Sequence, residues 1–386
     1  MLSIFFWLGF VFILHSYVLY PFLLKFLQRK KGLGSQRSML THKPALSIII
    51  PAHNEEQVLA EKLYSILNSA YDLELLEIIV GIDASSDFSG IIAASFTDKF
   101  PNYKVKHFTE RQGKIQIVNA LVPSASHEII VLTDANVLFT KDTLSALSQH
   151  FIDPSIGLVD TRMKNYGLKN TGISMPESEY IAGEVKIKEA EGQLWGAMMG
   201  PFGGCFAFRK LCFSPIPKHF LVDDFYINMT CLEKGFKCIN EPQAVVLEDV
   251  SNDLSVEFKR KIRISAGNFQ NLTRFWRQLL KFNGLSFAFF SHKVLRWIIP
   301  VFLVFMILQI LSQADHSWFY SICYFILIMI PITFVVDYIA RKQQTHVVFL
   351  RYIIHFVSMN LALFLGLIKF LRGIRSSVWE PTKRHQ

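Results

Sequence analysis

The stretch EIIVLTDAN, residues 128–136, decides the fold, because a nearly continuous run of β-branched and aliphatic residues ends there in polar side chains. Such a run is typical of a strand that is buried on both faces of a sheet. Three other segments share the pattern: LSIIIP (46–51), LEIIVGID (76–83) and IGLVDTRM (156–163). Stretches of helical period between them predict helices at 55–69, 114–121 and 142–150. Strands that alternate with helices predict an α/β fold with a mostly parallel sheet.

The polar end of this stretch is a candidate metal site. Asp134 and Asn136 follow the predicted strand two positions apart, so their oxygen atoms can point to the same side. Mg²⁺ or Mn²⁺ binds such oxygens and takes further ligands from water and phosphate. A metal held there would stabilise a departing diphosphate. A capped turn before the helix at 142–150 is the structural alternative.

Polar residues also follow two other predicted strands, at the edge where parallel sheets bind ligands. PAHNEE (51–56) can hold a nucleotide, or Asn54 can simply cap a helix there. Asp83, in GIDASSD (81–87), can bond a base or a ribose, although many turns look like this one. Lys114 opens the next helix, where it can meet a phosphate or remain solvated, and the Walker A spacing is absent.

An acidic pair, Asp223 and Asp224, lies within FLVDDFYI (220–227), where a helix is predicted to begin. Two adjacent carboxylates raise the pKa of one of them, which suits a general base. We favour Asp224 as that base. Interaction of both acids with the helix dipole is the alternative.

Two further segments can contact a ligand. GPFGGCFAFRK (200–210) combines glycines, which allow close approach of the backbone, with aromatic residues that stack on sugars, although a glycine-rich bend explains it as well. Arg260 and Arg263 lie in a basic amphipathic stretch at 253–282, which resembles a helix at the membrane interface. These arginines can close over a diphosphate or contact lipid.

The composition indicates contact with lipid. Hydrophobic residues make up 51% of the 386 residues, 35 are Phe, and 18% are charged. The net charge of +9 is concentrated beside apolar runs, which favours anionic headgroups and phosphorylated substrates over nucleic acid. Five cysteines without CxxC spacing predict reduced, structural thiols.

The apolar runs predict a membrane protein with one large cytosolic domain. The predicted parts are a transmembrane anchor (1–27), a cytosolic domain (28–250), amphipathic interface helices (251–290), about three transmembrane helices (291–371) and a basic tail (372–386). The basic residues after the anchor place the domain in the cytosol, at the plasma (inner) membrane. Three later spans would put the tail outside, whereas its own basic residues favour the cytosol, so the side of the C-terminus stays open.

Taken together, PAHNEE, GIDASSD, TDAN, FGG and VDDF resemble the family 2 inverting glycosyltransferases of the GT-A fold, in the membrane-bound branch of cellulose, hyaluronan and poly-N-acetylglucosamine synthases. The resemblance implies a nucleotide site, a metal site at Asp134 and Asn136, and Asp224 as the catalytic base. The nucleotide-binding residues would be Pro51, Ala52, Glu55, Asp83, Lys114, Asp134 and Arg263. The acceptor site would be lined by Phe202, Gly203, Gly204 and Cys205.

The chain departs from the family pattern at two places. Asn136 replaces the usual second aspartate, which implies weaker metal binding. The Q-x-x-R-W box keeps only its arginine, Arg263, which puts processive polymerisation in doubt.

The predicted function is metal-assisted transfer, with inversion, of a sugar from a UDP-hexose or UDP-N-acetylhexosamine to a saccharide or lipid acceptor, as in cell-envelope polysaccharide biosynthesis. Single transfer to a lipid carrier and an inactive nucleotide-binding scaffold or transport protein are the alternatives. Protein partners stay open.

Overall fold

The computed structural model describes residues 2–31, 43–166, 174–249, 254–343, 348–374 and 376. Its centre is an eight-stranded sheet with the order β3-β2-β1-β4-β7-β6-β8-β5. The strands are β1 (Leu46–Ala52), β2 (Leu76–Asp83), β3 (Asn102–Phe108), β4 (Ile129–Thr133), β5 (Val137–Phe139), β6 (Ile156–Tyr166), β7 (Cys205–Arg209) and β8 (Lys237–Asp249). The parallel pairs are β1 with β2, β1 with β4, β2 with β3 and β6 with β8. The mostly parallel α/β fold is thereby confirmed.

Helices cover both faces of this sheet, and further helices precede its first strand and follow its last strand. They are α1 (Leu2–Leu14), α2 (Tyr20–Lys31), α3 (Leu59–Leu67), α4 (Ser89–Ala94), α5 (Lys114–Leu121), α6 (Thr143–Ser148), α7 (Ser174–Trp195), α8 (Asp223–Glu233), α9 (Leu254–Phe275), α10 (Gly284–Ala288), α11 (Leu295–Gln313), α12 (Trp318–Lys342) and α13 (Val348–Leu371). A π-helical turn, His15–Leu19, joins α1 to α2.

Burial on both faces explains the apolar runs in the central strands. Ile49 of β1 packs in a core with helices α5 and α8, whereas Ile48 and Ile50 pack in a second core with α3. All three side chains are fully buried. A strand between two cores has no solvent-exposed face, so its sequence does not alternate. The predicted strands and helices in this part of the chain are present, with ends that differ by a few residues.

Four strands of the sheet were not predicted from the sequence: β3, β5, β7 and β8. β3 lies at one edge of the sheet, and all of its residues are at least partly exposed. β7 runs antiparallel between β4 and β6, where the sequence also allowed a glycine-rich bend. β5 has three residues and pairs with β8. Short and edge strands depend on their neighbours more than on a local pattern.

The amphipathic stretch at 253–282 forms α9 and a 3-10 turn, Trp276–Lys281. Helix α9 packs along α13, where the Ser265 hydroxyl donates to the Leu363 carbonyl at 2.9 Å. Among the described residues, four helices are long and apolar enough to cross a membrane: Leu2–Lys30, Gly284–Gln313, Trp318–Ala340 and Phe349–Leu371. The proposed domain limits and the cytosolic side of the sheet stay predictions.

A charged cluster joins two of these candidate spans to helix α7. The Glu184 carboxylate lies 2.9 Å from His292 Nε2 and 3.2 Å from Lys293 Nζ, and it also pairs with Arg296. Glu191 accepts from the Tyr20 hydroxyl at 2.7 Å. Burial raises the pKa of Glu184, but the nearby positive charges outweigh burial and hold it well below its usual value. The two carboxylates therefore hold the spans against the sheet domain.

Replacing Glu184 by alanine should destabilise the protein by about 3–5 kcal/mol, because it leaves partly buried cations without their partner. The thermal unfolding midpoint of the detergent-purified protein measures the effect. Glu189→Ala is the matched control, since Glu189 lies on the same helix and bonds only Gln193 among the described residues. Equal midpoints for the two variants would show that the cluster does not hold the domains together.

Candidate functional site

Lys114 lies at the centre of the candidate site. Its ammonium is 2.8 Å from Asp134 Oδ1 and 3.4 Å from Asp223 Oδ2, and it donates to the Gly203 carbonyl at 3.2 Å. Burial lowers the pKa of Lys114, but the charges of Asp134 and Asp223 outweigh burial and raise it. The end of β4, the start of α8 and the glycine-rich segment before β7 thus meet at one cation.

Asp224 lies beside this cation, against the glycine-rich segment. An added Cβ at Gly203 would collide with its carboxylate, so the side chain reaches this close only because residue 203 is a glycine. Burial, followed by the charge of Asp223, raises the pKa of Asp224 to about 7. A buried carboxyl group whose pKa is raised in this way, next to a second acid, has the properties of a general base.

Asp83 holds the start of helix α5. One carboxylate oxygen accepts from the Gln112 amide at 2.7 Å and the other from the Gly113 amide at 2.8 Å, with Arg111 at 3.3 Å. Gly113 has a φ of +85°, which favours glycine. Asp83 is 3% exposed, and both of its oxygens are engaged within the protein. It therefore positions Lys114, while its contact with a nucleotide stays a prediction.

The loops after β1 and β2 are bonded to each other. The Glu55 amide donates to Ser89 Oγ at 2.8 Å, and the Ser86 amide donates to Asn54 Oδ1 at 2.9 Å. Asn54 and Ala84 both have positive φ angles, 52° and 47°. Pro51, Ala52 and Glu55, the predicted nucleotide contacts, lie at this edge beside Asp83. Their role stays a prediction.

Asp134 is suited to hold a divalent ion, whereas Asn136 has another partner. The Asp134 side chain is 34% exposed, but the buried Asn136 amide donates to Glu248 Oε1 at 3.3 Å. The described residues include no group of three His, Cys, Asp or Glu that could hold a metal. An ion here would take most ligands from phosphate and water, which Mg²⁺ accepts readily. The buried Asp223 Oδ2 accepts no hydrogen bond from the described residues and is a further candidate oxygen.

Restoring the usual second aspartate should harm this chain. In Asn136→Asp the new carboxylate would face Glu248 in a buried place, so we expect a loss of about 1–3 kcal/mol in stability. Thermal unfolding of Asn136→Asp measures the loss. The double variant Asn136→Asp/Glu248→Gln is the control, because it removes the repulsion and should recover the midpoint. A single variant as stable as the parent would contradict the contact.

Of the predicted acceptor residues, some lie at the candidate site and one lies in the core. The Phe202 amide donates to Asp160 Oδ1 at 2.7 Å, while Gly203 contacts Lys114 and Asp224. An added Cβ at Gly204 would lie 2.7 Å from the Phe202 ring, so the aromatic side chain folds over the glycine. Cys205 is fully buried in β7, so it lies in the core behind residues 202–204.

Arg263 approaches the acidic pair from helix α9. Its guanidinium donates to the Leu221 carbonyl at 3.1 Å, just before the pair. Burial and the charge of Arg260 lower the pKa of Arg263, while Asp223, Asp224 and Asp134 oppose the shift. Contact of Arg263 with a diphosphate stays a prediction.

Two charged residues behind the site were missed by sequence reasoning. Asp160 is fully buried, pairs with Lys188 at 2.5 Å and holds the Phe202 amide. Lys62 is fully buried in α3. The sequence does contain a signal for its burial. Lys62 follows Leu59 by three residues and precedes Ile66 by four, a spacing that puts it on the apolar face of the helix.

Part of the chain is similar in sequence to known glycosyltransferases. Residues 47–214 match the family model Glycosyl transferase family 2. Probable glycosyltransferase YdaM of Bacillus subtilis is 32% identical over 110 residues, which cover 28% of this chain and 26% of that protein. Beta-monoglucosyldiacylglycerol synthase of Trichormus variabilis is 24% identical over 252 residues, 64% of this chain and 53% of that one. The chain thus spans about a quarter and about half of these relatives.

A solved structure has the same fold over nearly the whole chain. The mannosyltransferase PcManGT from Pyrobaculum calidifontis, solved in complex with GDP-Man and Mn²⁺, superimposes with a TM-score of 0.71. The match covers 96% of this chain and 99% of that one, at 20% sequence identity. At this identity the likeness establishes the fold.

Proposed function

We propose that this chain, whose residues 47–214 match the family 2 glycosyl transferases, is a membrane glycosyltransferase that moves a sugar from a nucleotide sugar to an acceptor, with inversion. One observation carries the proposal: Lys114 pairs with Asp134, after the carboxyl end of the parallel strand β4, and with Asp223, at the start of α8, and Asp224 lies beside them. These groups supply a phosphate-binding edge, a metal ligand and a base, which sugar transfer from a diphosphate requires.

In the proposed reaction the acceptor oxygen attacks the anomeric carbon from the face opposite the nucleotide. The bond from that carbon to the diphosphate oxygen breaks, and the acceptor proton passes to Asp224. Attack from the opposite face inverts the configuration. Lys114 and Arg263 offset the negative charge that develops on the departing diphosphate. Mg²⁺ or Mn²⁺, held by Asp134 and, as the family pattern implies, Asn136, would add positive charge at the same oxygens.

The glycine-rich segment and the residue before it lie close to a candidate span, from which we infer that an acceptor in the membrane can reach the site. The Met199 amide donates to Glu191 at 3.0 Å, and the same carboxylate group lies 2.8 Å from His292 of a candidate span. An added Cβ at Gly200 would lie 3.5 Å from Lys293. Single transfer to a lipid acceptor is therefore our second candidate, beside transfer to a growing saccharide.

The deciding experiment incubates membranes that contain the protein with a panel of radiolabelled UDP- and GDP-sugars, with and without Mn²⁺. Label in one new lipid product indicates single transfer, and a ladder of oligosaccharides indicates polymerisation. Membranes that contain Asp224→Asn are the control. Absence of both transfer and hydrolysis of every nucleotide sugar would support the inactive scaffold or transport protein instead.

A further inference from the structure

Lys62 is a buried cation directly behind the predicted metal-binding turn, residues 134–136. Its side chain is 0% exposed. Its ammonium donates to Thr133 Oγ1 at 2.9 Å and to the Val137 carbonyl at 2.5 Å, so it contacts the residue on each side of the turn. It also lies 3.4 Å from the centre of the Phe139 ring. Lys62 thus links helix α3 to the last residue of β4 and to β5.

A lysine in this environment is costly to the fold. Within the described ranges, no carboxylate lies within ion-pair distance of the Lys62 ammonium, so no negative charge neutralises it directly. Burial lowers the pKa of Lys62 to about 7, while Cys205 and Asp134 oppose the shift. An apolar residue of similar size would avoid this desolvation. Packing alone therefore does not explain why a lysine lies here.

We propose that Lys62 is a positioning residue that fixes the turn bearing Asp134 and Asn136, so that the turn is preorganised for a divalent ion. The inference rests on the proposed function. Its two hydrogen bonds anchor the turn at both ends. Thr133 Oγ1 also lies 3.4 Å from the Asp134 carbonyl, which extends the contact to the ligand residue itself. Groups that orient metal ligands commonly change metal affinity when they are removed.

The test is Lys62→Met, which keeps the length and apolar stem of the side chain but removes the donors. Mn²⁺ affinity is measured by calorimetry on the UDP-loaded protein without substrate turnover. We expect it to weaken about 10- to 100-fold. The unfolding midpoint should be equal or higher, since a buried charge is removed. The concentration of Mn²⁺ that half-activates transfer should rise in parallel, while kcat at saturating Mn²⁺ recovers.

Lys210→Met is the matched control, because Lys210 likewise donates two hydrogen bonds, in its case to the Pro123 and Ala125 carbonyls, but does not contact the turn. It should bind Mn²⁺ as the parent does. Thr133→Val provides a second measurement if Lys62→Met fails to fold, and it should weaken Mn²⁺ binding in the same direction. Parental affinity in Lys62→Met, or in Thr133→Val when the first variant does not fold, overturns the inference. A parent protein that binds neither UDP nor Mn²⁺ overturns the proposed function instead.

Discussion

Replacing Asp224 by asparagine is expected to lower kcat for sugar transfer about 100- to 10,000-fold, the range that a general base contributes. The amide keeps the shape of the side chain but cannot accept the acceptor proton. Nucleotide binding should change little, because the carboxylates that pair with Lys114 are those of Asp134 and Asp223, which this variant keeps. Initial rates and UDP titrations on the purified variant measure the two effects separately.

Asp98→Asn is the control for this variant, since Asp98 is exposed in a short turn before the edge strand and should have parental activity. An Asp224→Asn enzyme with ordinary turnover would remove Asp224 from the reaction. Asp223→Asn would then be the next candidate, although its carboxylate already pairs with Lys114.

The pH profile gives a second test of the same residue. Only the deprotonated carboxylate can accept a proton, and burial together with Asp223 raises the pKa of Asp224 to about 7. The rate of the parent enzyme should therefore rise with pH through neutrality and level off above it. Asp224→Asn should lose this rise. A rate that is already maximal near pH 5 would show that the base has an ordinary carboxyl pKa.

Replacing Asp134 by alanine is expected to lower kcat/KM at least about 100-fold, because it removes the carboxylate proposed to hold the ion and the main partner of Lys114. Mn²⁺ binding to the UDP-loaded protein should fall below detection. The unfolding midpoint should fall only modestly, since the Asp134 side chain is partly exposed and Lys114 keeps Asp223 as a partner. Calorimetry and initial rates over a Mn²⁺ series measure these changes.

Asp142→Ala is the matched control, because Asp142 is the next acidic residue along the chain and makes no side-chain cap at the start of α6. It should keep both Mn²⁺ binding and activity. If Asp134→Ala retains Mn²⁺-dependent transfer with an unchanged half-activating concentration, the ion is held elsewhere and the role of residues 134–136 is structural.

Some features of this protein leave a local pattern in the sequence, and others do not. The central strands were predictable, because a strand between two apolar cores has a continuous run of apolar residues in the sequence. The polar residues after them were predictable as well, because the apolar run stops where the strand ends. The acidic pair at 223–224 was also visible at the start of a predicted helix. In contrast, β7 carries no such signal, since its antiparallel place between β4 and β6 depends on partners far along the chain.

The sequence by itself therefore determined the α/β class, the positions of the candidate motifs and the apolar helices. The tertiary structure decided which polar groups are already engaged: Asp83 with the start of α5, Asn136 with Glu248, and Lys114 with two carboxylates from separate elements. The physical reason is that apolar burial is periodic and local along the chain. A buried charge, in contrast, is stabilised by whichever partner the fold brings within hydrogen-bonding distance, so its role is defined only by contacts between distant segments.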